Sequence, residues 1–488
     1  MNLQELLTSV PFYQTYGEID KDITGITMDS RQIKPGDLFI CIKGFETDGH
    51  QYITSAIHAG AAAIVAMHHV EMDIPLIVVS DTKRVMAQLA SSFYGNPTRE
   101  VGLIGVTGTN GKTTITYLLD EIFTENKMST GVIGTIQTKI NGKSYGVSNT
   151  TPDSVSLNEF FFEMRKEEVQ TAMMEVSSHA LDQGRVYGLD FDVAVFTNLS
   201  QDHLDYHKDM DDYLRAKSLL FAQLGNHYEQ GREKYAVVNI DDPASHILIK
   251  STAQPVLTYG VEQGDVHTRN IHMDETGVSF TMITPVGNIQ VDSGLMGHFS
   301  IYNMLAAAGA AIVRGVQLEV IVAAFSKTKG VPGRLEPVFA GQSFGIVVDY
   351  AHTPDSLENV LKTLKDVCEG YVRVIVGCGG DRDAGKRPKM ADVAMKFADD
   401  VFFTSDNPRS ENPENILDDM TGHLKGEFHR ITDRKEAIES GIASCRNKDI
   451  LLIAGKGHET YQEVDGMKLE FDDRKVATQA VKQGRHNK

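Results

Sequence analysis

GLIGVTGTNGKTTITYLLDEIF, residues 102–123, reads as a strand, a glycine-rich loop and a helix in one run. At its centre stands Gly105-Val-Thr-Gly108-Thr109-Asn110-Gly111-Lys112-Thr113-Thr114. Such a turn has what nucleotide phosphates need. Glycines let backbone N–H groups point inward around phosphate oxygens, and the helix N-terminus adds partial positive charge. Lys112 supplies a mobile cation and Thr113 a hydroxyl for Mg²⁺. The spacing departs from the usual P-loop, which has a glycine where Val106 stands here.

The same order recurs on both sides. Runs rich in Val and Ile, each followed by a Gly, Asp or Ser cluster and a helical pattern, give candidate strands at residues 37–42, 171–176, 193–198, 236–239, 345–349, 372–377, 401–405 and 450–454. Repeated βα units form mostly parallel sheets with helices on both faces, and their functional loops follow the C-terminal strand ends. The expected fold class is α/β in three domains: a small N-terminal α/β domain (1–98), a central P-loop-type, mostly parallel domain (99–331) and a C-terminal Rossmann-like domain (332–488). The divisions fall at the Asn96-Pro97 turn and near Gly330-Val331-Pro332-Gly333.

With 488 residues the chain is too long for a single core. Its 66 Asp and Glu against 47 Lys and Arg give a net charge of -19, which argues against a general nucleic-acid binder and requires local positive charge wherever an anion binds. Cys41, Cys368, Cys378 and Cys445 form no C-x-x-C pair and read as reduced thiols. The N-terminus lacks the basic and apolar regions of a signal peptide, and no apolar run approaches the roughly 20 residues of a membrane span. A cytoplasmic monomer without membrane or nucleic-acid partners is expected.

Met173-Met-Glu175-Val-Ser177-Ser178-His179 sets a carboxylate and two hydroxyls at a strand end, and residues 196–207 add His203 at another. Neighbouring parallel strands would bring both beside the phosphate loop, making Glu175 and His203 candidate Mg²⁺ ligands. Tyr213-Leu-Arg-Ala216-Lys217-Ser218-Leu-Leu-Phe221 reads as an amphipathic helix, on which a lysine is ordinarily solvated. No G-x-S-x-G turn surrounds Ser177 or Ser178, which disfavours a hydrolase. His179, His207 and His458 are each open between structural and solvent-facing roles.

TGTNGKTT resembles the phosphate loop of Mur ligases and of folylpolyglutamate synthetases, which join an amino acid to a carboxylate with ATP. Asp29-Ser30-Arg31 and Asp48-Gly49-His50, within Lys43-Gly44-Phe45-Glu46-Thr47-Asp48-Gly49-His50, turn the resemblance towards Mur ligases, and it extends along essentially the whole chain. It implies that ATP and Mg²⁺ are cofactors and that the lysine of Y-x-x-A-K-x-x-x-F, Lys217, is carbamylated by CO₂ to hold a second Mg²⁺ beside Thr113, Glu175 and His203. It further implies that Asn303 of H-x-x-x-x-N touches the nucleotide and that Arg334 and Asp349 reach ATP only on domain closure. Ser30, Asn149, Thr150, Thr151, Ser177, Gln183 and Arg185 would hold UDP-N-acetylmuramoyl-L-Ala-D-Glu.

In the last third, loops carrying Gly379-Gly-Asp381-Arg382, Asp406-Asn407-Pro408-Arg409 and Gly455-Lys456-Gly457-His458-Glu459 converge. A zwitterionic amino acid with an extra carboxylate needs a guanidinium for each carboxylate and an acid for its ammonium. D-N-P-R resembles the form in Mur ligases that add meso-diaminopimelate. This implies Arg409 for specificity, Arg382 on a carboxylate, Asn407 and Gly455 as supports beside Asp406 and Pro408, and Glu459 on the amine. The resemblance implies an acyl phosphate formed by a D-Glu γ-carboxylate, with Lys112 among the catalytic groups. Alternatives are an L-lysine-adding or folylpolyglutamate-type ligase, and a nucleotide-dependent switch that makes no amide.

Overall fold

The structure, a computed structural model, describes residues 1–44, 47–146, 149–225, 231–274, 277–328 and 330–486. Phe45 and Glu46 lie outside them. Three larger sheets follow one another along the chain, with two small antiparallel ones attached.

The first sheet runs Gln14–Tyr16, Leu76–Val78, Ala63–Ala66, Asp37–Ile40, Gly25–Thr27; all neighbours are parallel except the first pair. Strand periodicity of two explains its apolar composition. Leu38, Ile40 and Val65 pack on one side with Leu3, Leu6 and Leu89, while Phe39, Ile64 and Ala66 pack on the other with Ile53 and Ala56.

The second sheet has eight strands in the order Val256–Tyr259, Tyr235–Asn239, Val193–Phe196, Gly102–Thr107, Thr171–Glu175, Thr130–Ile133, Thr138–Ile140, Lys143–Tyr145. It is parallel as far as Thr130–Ile133 and ends in an antiparallel meander. Strand Gly102–Thr107, which leads into the phosphate loop, lies between the strands that end at Glu175 and Phe196. Loops from both neighbours therefore meet it at a topological switch point. Ile104 and Val106 bury against helices Lys112–Glu125 and His298–Val313, and Leu103 packs on the other face with Leu157 and Phe161.

The third sheet runs Glu336–Pro337, Gly345–Asp349, Ile450–Ala454, Val372–Val376, Asp400–Phe403, His429–Arg430, parallel after its first pair. Several expected strands stop short: residues 37–42 pair only to Ile40, 193–198 only to Phe196 and 401–405 only to Phe403. The ladder ends there because the following residues turn to serve loops, as Asn198 does by accepting from Asn110 N–H at 3.0 Å. A three-stranded antiparallel sheet, His267–Asp274, Gly277–Thr284 and Gly287–Ser293, was not expected. It buries Val278, Phe280, Met282 and Val291 against the second sheet's core, and its signal was alternation without a following helix. Among the described residues no helix is long and apolar enough to cross a membrane.

Candidate active site

The phosphate loop depends on two glycines. Gly108 (φ 146°) and Gly111 (φ 90°) occupy left-handed or extended positive-φ backbone, and a Cβ would fall 1.8 Å from Thr197 Oγ1 at the first and 2.5 Å from Asn303 Oδ1 at the second. Helix Lys112–Glu125 begins immediately after, directing its free N–H groups at the loop. The Lys112 ammonium folds back to donate to the carbonyls of Gly108 (2.9 Å) and Thr109 (2.8 Å). Burial pulls its pKa down, while Glu175 and Asp202 oppose the shift.

Glu175 is 1% exposed and its carboxylate receives three hydrogen bonds: from Thr113 Oγ1 (3.0 Å), Thr135 N (2.8 Å) and Thr135 Oγ1 (3.0 Å). A hydroxyl and a carboxylate so joined are hard oxygen donors of the kind Mg²⁺ takes. His203, across the loop, has φ 56°, a strained backbone for a non-glycine residue. Desolvation in the cleft holds its imidazole well below the ordinary range against the pull of Asp202, so it is a neutral nitrogen donor. Among the described residues no group of three or more His, Cys, Asp or Glu stands ready for a metal.

Lys217 lies beside the phosphate loop. Its helix, Met210–Ala222, does not leave it solvated as a bare amphipathic pattern suggests; the side chain is 1% exposed because the helix packs over the phosphate loop. Nζ donates to Gly108 O at 2.9 Å and sits 4.1 Å from the Tyr213 ring centroid. Burial, reinforced by Lys112, drives its pKa well below that of a free lysine. A neutral amine is the form that can combine with CO₂.

Two cavities adjoin this centre. One of about 340 Å³ is lined by Asn110, Gly111, Thr113, Thr114, Asn303, Arg334 and Asp349. Arg334 lies against the Tyr350 ring, 4.8 Å to its centroid, with Nη2 3.5 Å from Thr113 Oγ1. Asp349 accepts from Leu335 N–H at 2.7 Å, and burial raises its pKa against the pull of Arg334. Asp355, at the start of helix Pro354–Val367, accepts from Asn110 Nδ2 (2.8 Å) and Ser200 Oγ (3.1 Å), joining the third sheet to the phosphate loop.

The other cavity, about 430 Å³, has Asn149, Thr150, Thr151, Ser177, Arg185 and His203 on one side and Arg382, Asp406, Asn407, Arg409, Gly455 and Glu459 on the other. Arg185 Nη1 donates to Thr151 O (2.8 Å), while Nη2 donates to Gln183 Oε1 (2.8 Å), so Gln183 supports the arginine from outside the lining. Arg409 (φ 52°) is held by its backbone: its N–H donates to Glu463 O (3.0 Å), and Asp465 N–H donates to its carbonyl (2.7 Å). Its Nη1 donates to Gly380 O at 2.7 Å. Ser30 and Pro408 line neither cavity. Ser178, His207 and Asp212 do form a Ser–His–Asp chain, with Nε2 2.9 Å from Ser178 Oγ and Nδ1 3.4 Å from Asp212. Ser178 is 2% and His207 1% exposed, which seals that chain from substrate.

Sequence reasoning passed over four contributors: Thr135, which binds Glu175; Asp355; and His352 and Lys386, which line the larger cavity. Asp355 and His352 sit in the run Asp349-Tyr-Ala-His352-Thr-Pro354-Asp355, but nothing in their residue types marks them above their neighbours.

Three family models match the chain: the Mur ligase family catalytic domain at residues 22–94, the Mur ligase middle domain at 106–311 and the Mur ligase glutamate ligase domain at 333–457. The chain belongs to the Mur ligase family, and is therefore an ATP-dependent ligase. It is 53% identical to a protein of Oceanobacillus iheyensis and 51% identical to one of Geobacillus kaustophilus, covering 99% of this chain in both cases and 99% and 100% of those proteins. Both are named UDP-N-acetylmuramoyl-L-alanyl-D-glutamate--2,6-diaminopimelate ligase. A solved structure of that name superimposes with a TM-score of 0.71 at 33% identity over 99% of each chain. A Mycobacterium tuberculosis folylpolyglutamate synthase shares the fold at 18% identity, with a TM-score of 0.63 over 81% of this chain and 94% of that one.

Proposed function

We propose that this ligase adds meso-2,6-diaminopimelate to the D-Glu γ-carboxylate of UDP-N-acetylmuramoyl-L-Ala-D-Glu, as a cytoplasmic monomer divided near residues 98 and 331. The observation that carries the reading is the larger cavity, whose two walls bring neutral donors and Arg185 face to face with Arg382, Arg409 and Glu459. One wall suits a peptide carboxylate. The other suits an amino acid with two carboxylates and an ammonium group.

Asn149, Thr150, Thr151, Ser177 and Arg185 orient the γ-carboxylate, with Ser30 holding the uridine diphosphate end. The phosphate loop, Asn303, Arg334 and Asp349 hold ATP in the smaller cavity. A carboxylate oxygen attacks the γ-phosphorus and ADP leaves; the diaminopimelate amine then attacks the acyl carbon, loses a proton and expels phosphate. The protein positions both partners and offsets phosphate charge through Lys112 and the helix N-terminus. Thr113, Glu175, His203 and a carbamate on Lys217 would hold Mg²⁺, which neutralises phosphate charge when bound. Burial, reinforced by Lys112, lowers the Lys217 pKa and so favours the amine form that a carbamate needs, which supports the carbamate.

The test is phosphate release with ATP, Mg²⁺ and the UDP-linked dipeptide, comparing diaminopimelate, L-lysine and no amino acid, with the product weighed by mass spectrometry. Diaminopimelate-dependent tripeptide is expected. Lysine-dependent product would overturn the acceptor, and phosphate without amide would favour a switch.

A further inference from the structure

Beneath the acceptor wall lies a cation that the proposed reaction does not use. Lys456, in the loop after strand Ile450–Ala454, is 0% exposed. Its ammonium donates to Asn407 Oδ1 (3.0 Å), to Glu459 Oε2 (3.0 Å) and to the carbonyl of Tyr461. All three N–H groups are occupied inside the protein, leaving none for a ligand.

The two side chains it grips both line the larger cavity. Asn407 Oδ1 also accepts from Glu463 N–H (2.9 Å), and Asn407 Nδ2 donates to Glu459 Oε2 (2.8 Å). Flipping the amide would set its NH₂ against an ammonium and a backbone N–H, so its orientation is fixed. One Nδ2 hydrogen and the Oε1 atom of Glu459 remain free of these bonds. The wall thus offers one donor and one anionic acceptor on adjacent groups, the complement of an amino acid's carboxylate and ammonium. Replacing a buried ion pair by apolar groups of similar size is often neutral or stabilising, so stability does not explain a lysine here. Orientation does.

We propose that Lys456 is a positioning residue for the amino-acid acceptor, setting acceptor affinity through Asn407 and Glu459 without touching the acceptor. This role rests on the proposed reaction for the presence of an amino-acid acceptor at this wall.

Steady-state kinetics of wild type, Lys456→Met, Glu459→Gln and the double variant, varying acceptor and ATP separately, test this alongside thermal melting. Lys456→Met is expected to raise the acceptor KM by about 10- to 100-fold, as loss of charge-assisted hydrogen bonds does, with the ATP KM within about twofold. The double variant should raise acceptor KM no further than the larger single change, because both act on one unit. Should the methionine variant not fold, Lys456→Gln, which keeps a donor and loses the charge, gives the same readout. An unchanged acceptor KM, equal rises for acceptor and ATP, or additive effects would overturn the proposal. If wild type turns over lysine instead of diaminopimelate, the proposed acceptor falls, and the KM shift is read on lysine.

Discussion

Replacing Arg409 by methionine tests the specificity contact, because backbone hydrogen bonds keep the loop in place there. Two backbone hydrogen bonds, Arg409 N–H to Glu463 O at 3.0 Å and Asp465 N–H to Arg409 O at 2.7 Å, hold residue 409 in place. The guanidinium has five N–H groups; Nη1 gives one of them to Gly380 O, and Nε lies 3.4 Å from Glu463 Oε2. Enough remain for two bonds to a second substrate carboxylate. At about 1.5 kcal/mol for each charge-assisted bond, losing both costs about 3 kcal/mol, or roughly 150-fold in kcat/KM for diaminopimelate. Gly380 is buried and its carbonyl loses this donor, a cost to the folded state that falls equally on both acceptors. Continuous phosphate release with diaminopimelate and with L-lysine reads the effect, since lysine has no second carboxylate to lose. The diaminopimelate value should fall while any lysine value holds. An equal fall for both, or none for either, would refute the assignment.

Lys217→Arg places at the site a cation that cannot form a carbamate, so activity should fall by at least about 100-fold; ¹³C-bicarbonate should give wild type a carbamate NMR signal that the variant lacks. Gly108→Ala forces a Cβ to 1.8 Å from Thr197 Oγ1 at φ 146° and should destabilise the chain by at least about 1–3 kcal/mol and abolish nucleotide binding, read by melting with and without ADP. Burial lowers the pKa of His352 and of His458 from 6.5 to about 4, so the unfolded chain binds more protons between those values. Stability should be complete above pH 6.5, decline as pH falls from 6.5 to about 4 and level off below, and His458→Gln should lessen the decline in a melting-temperature series.

The parallel sheets were legible because strand, glycine cluster and helix repeat in the sequence, as residues 102–123 do most clearly. The antiparallel sheet at 267–293 was not, since its alternation in Gly277–Thr284 carries no helix behind it. In the site, Lys112, Thr113 and Glu175 are visible because the chemistry restricts their type and place. Lys217 is visible only by resemblance: its burial depends on a helix packing over a loop more than a hundred residues earlier. Thr135 and Lys456 act on other side chains, and contacts between side chains leave no local pattern.

The single carboxylate of Asp355 has a thermodynamic consequence for nucleotide exchange. Because Asn110 and Ser200 share one of its oxygens, any rotation that swings helix Pro354–Val367 away from the phosphate loop breaks both bonds together. Half-open arrangements then lose as much as open ones and regain less, so the hinge should behave as a two-position latch. Departure of ADP then waits on that latch, and its release sets turnover wherever it is slower than bond making.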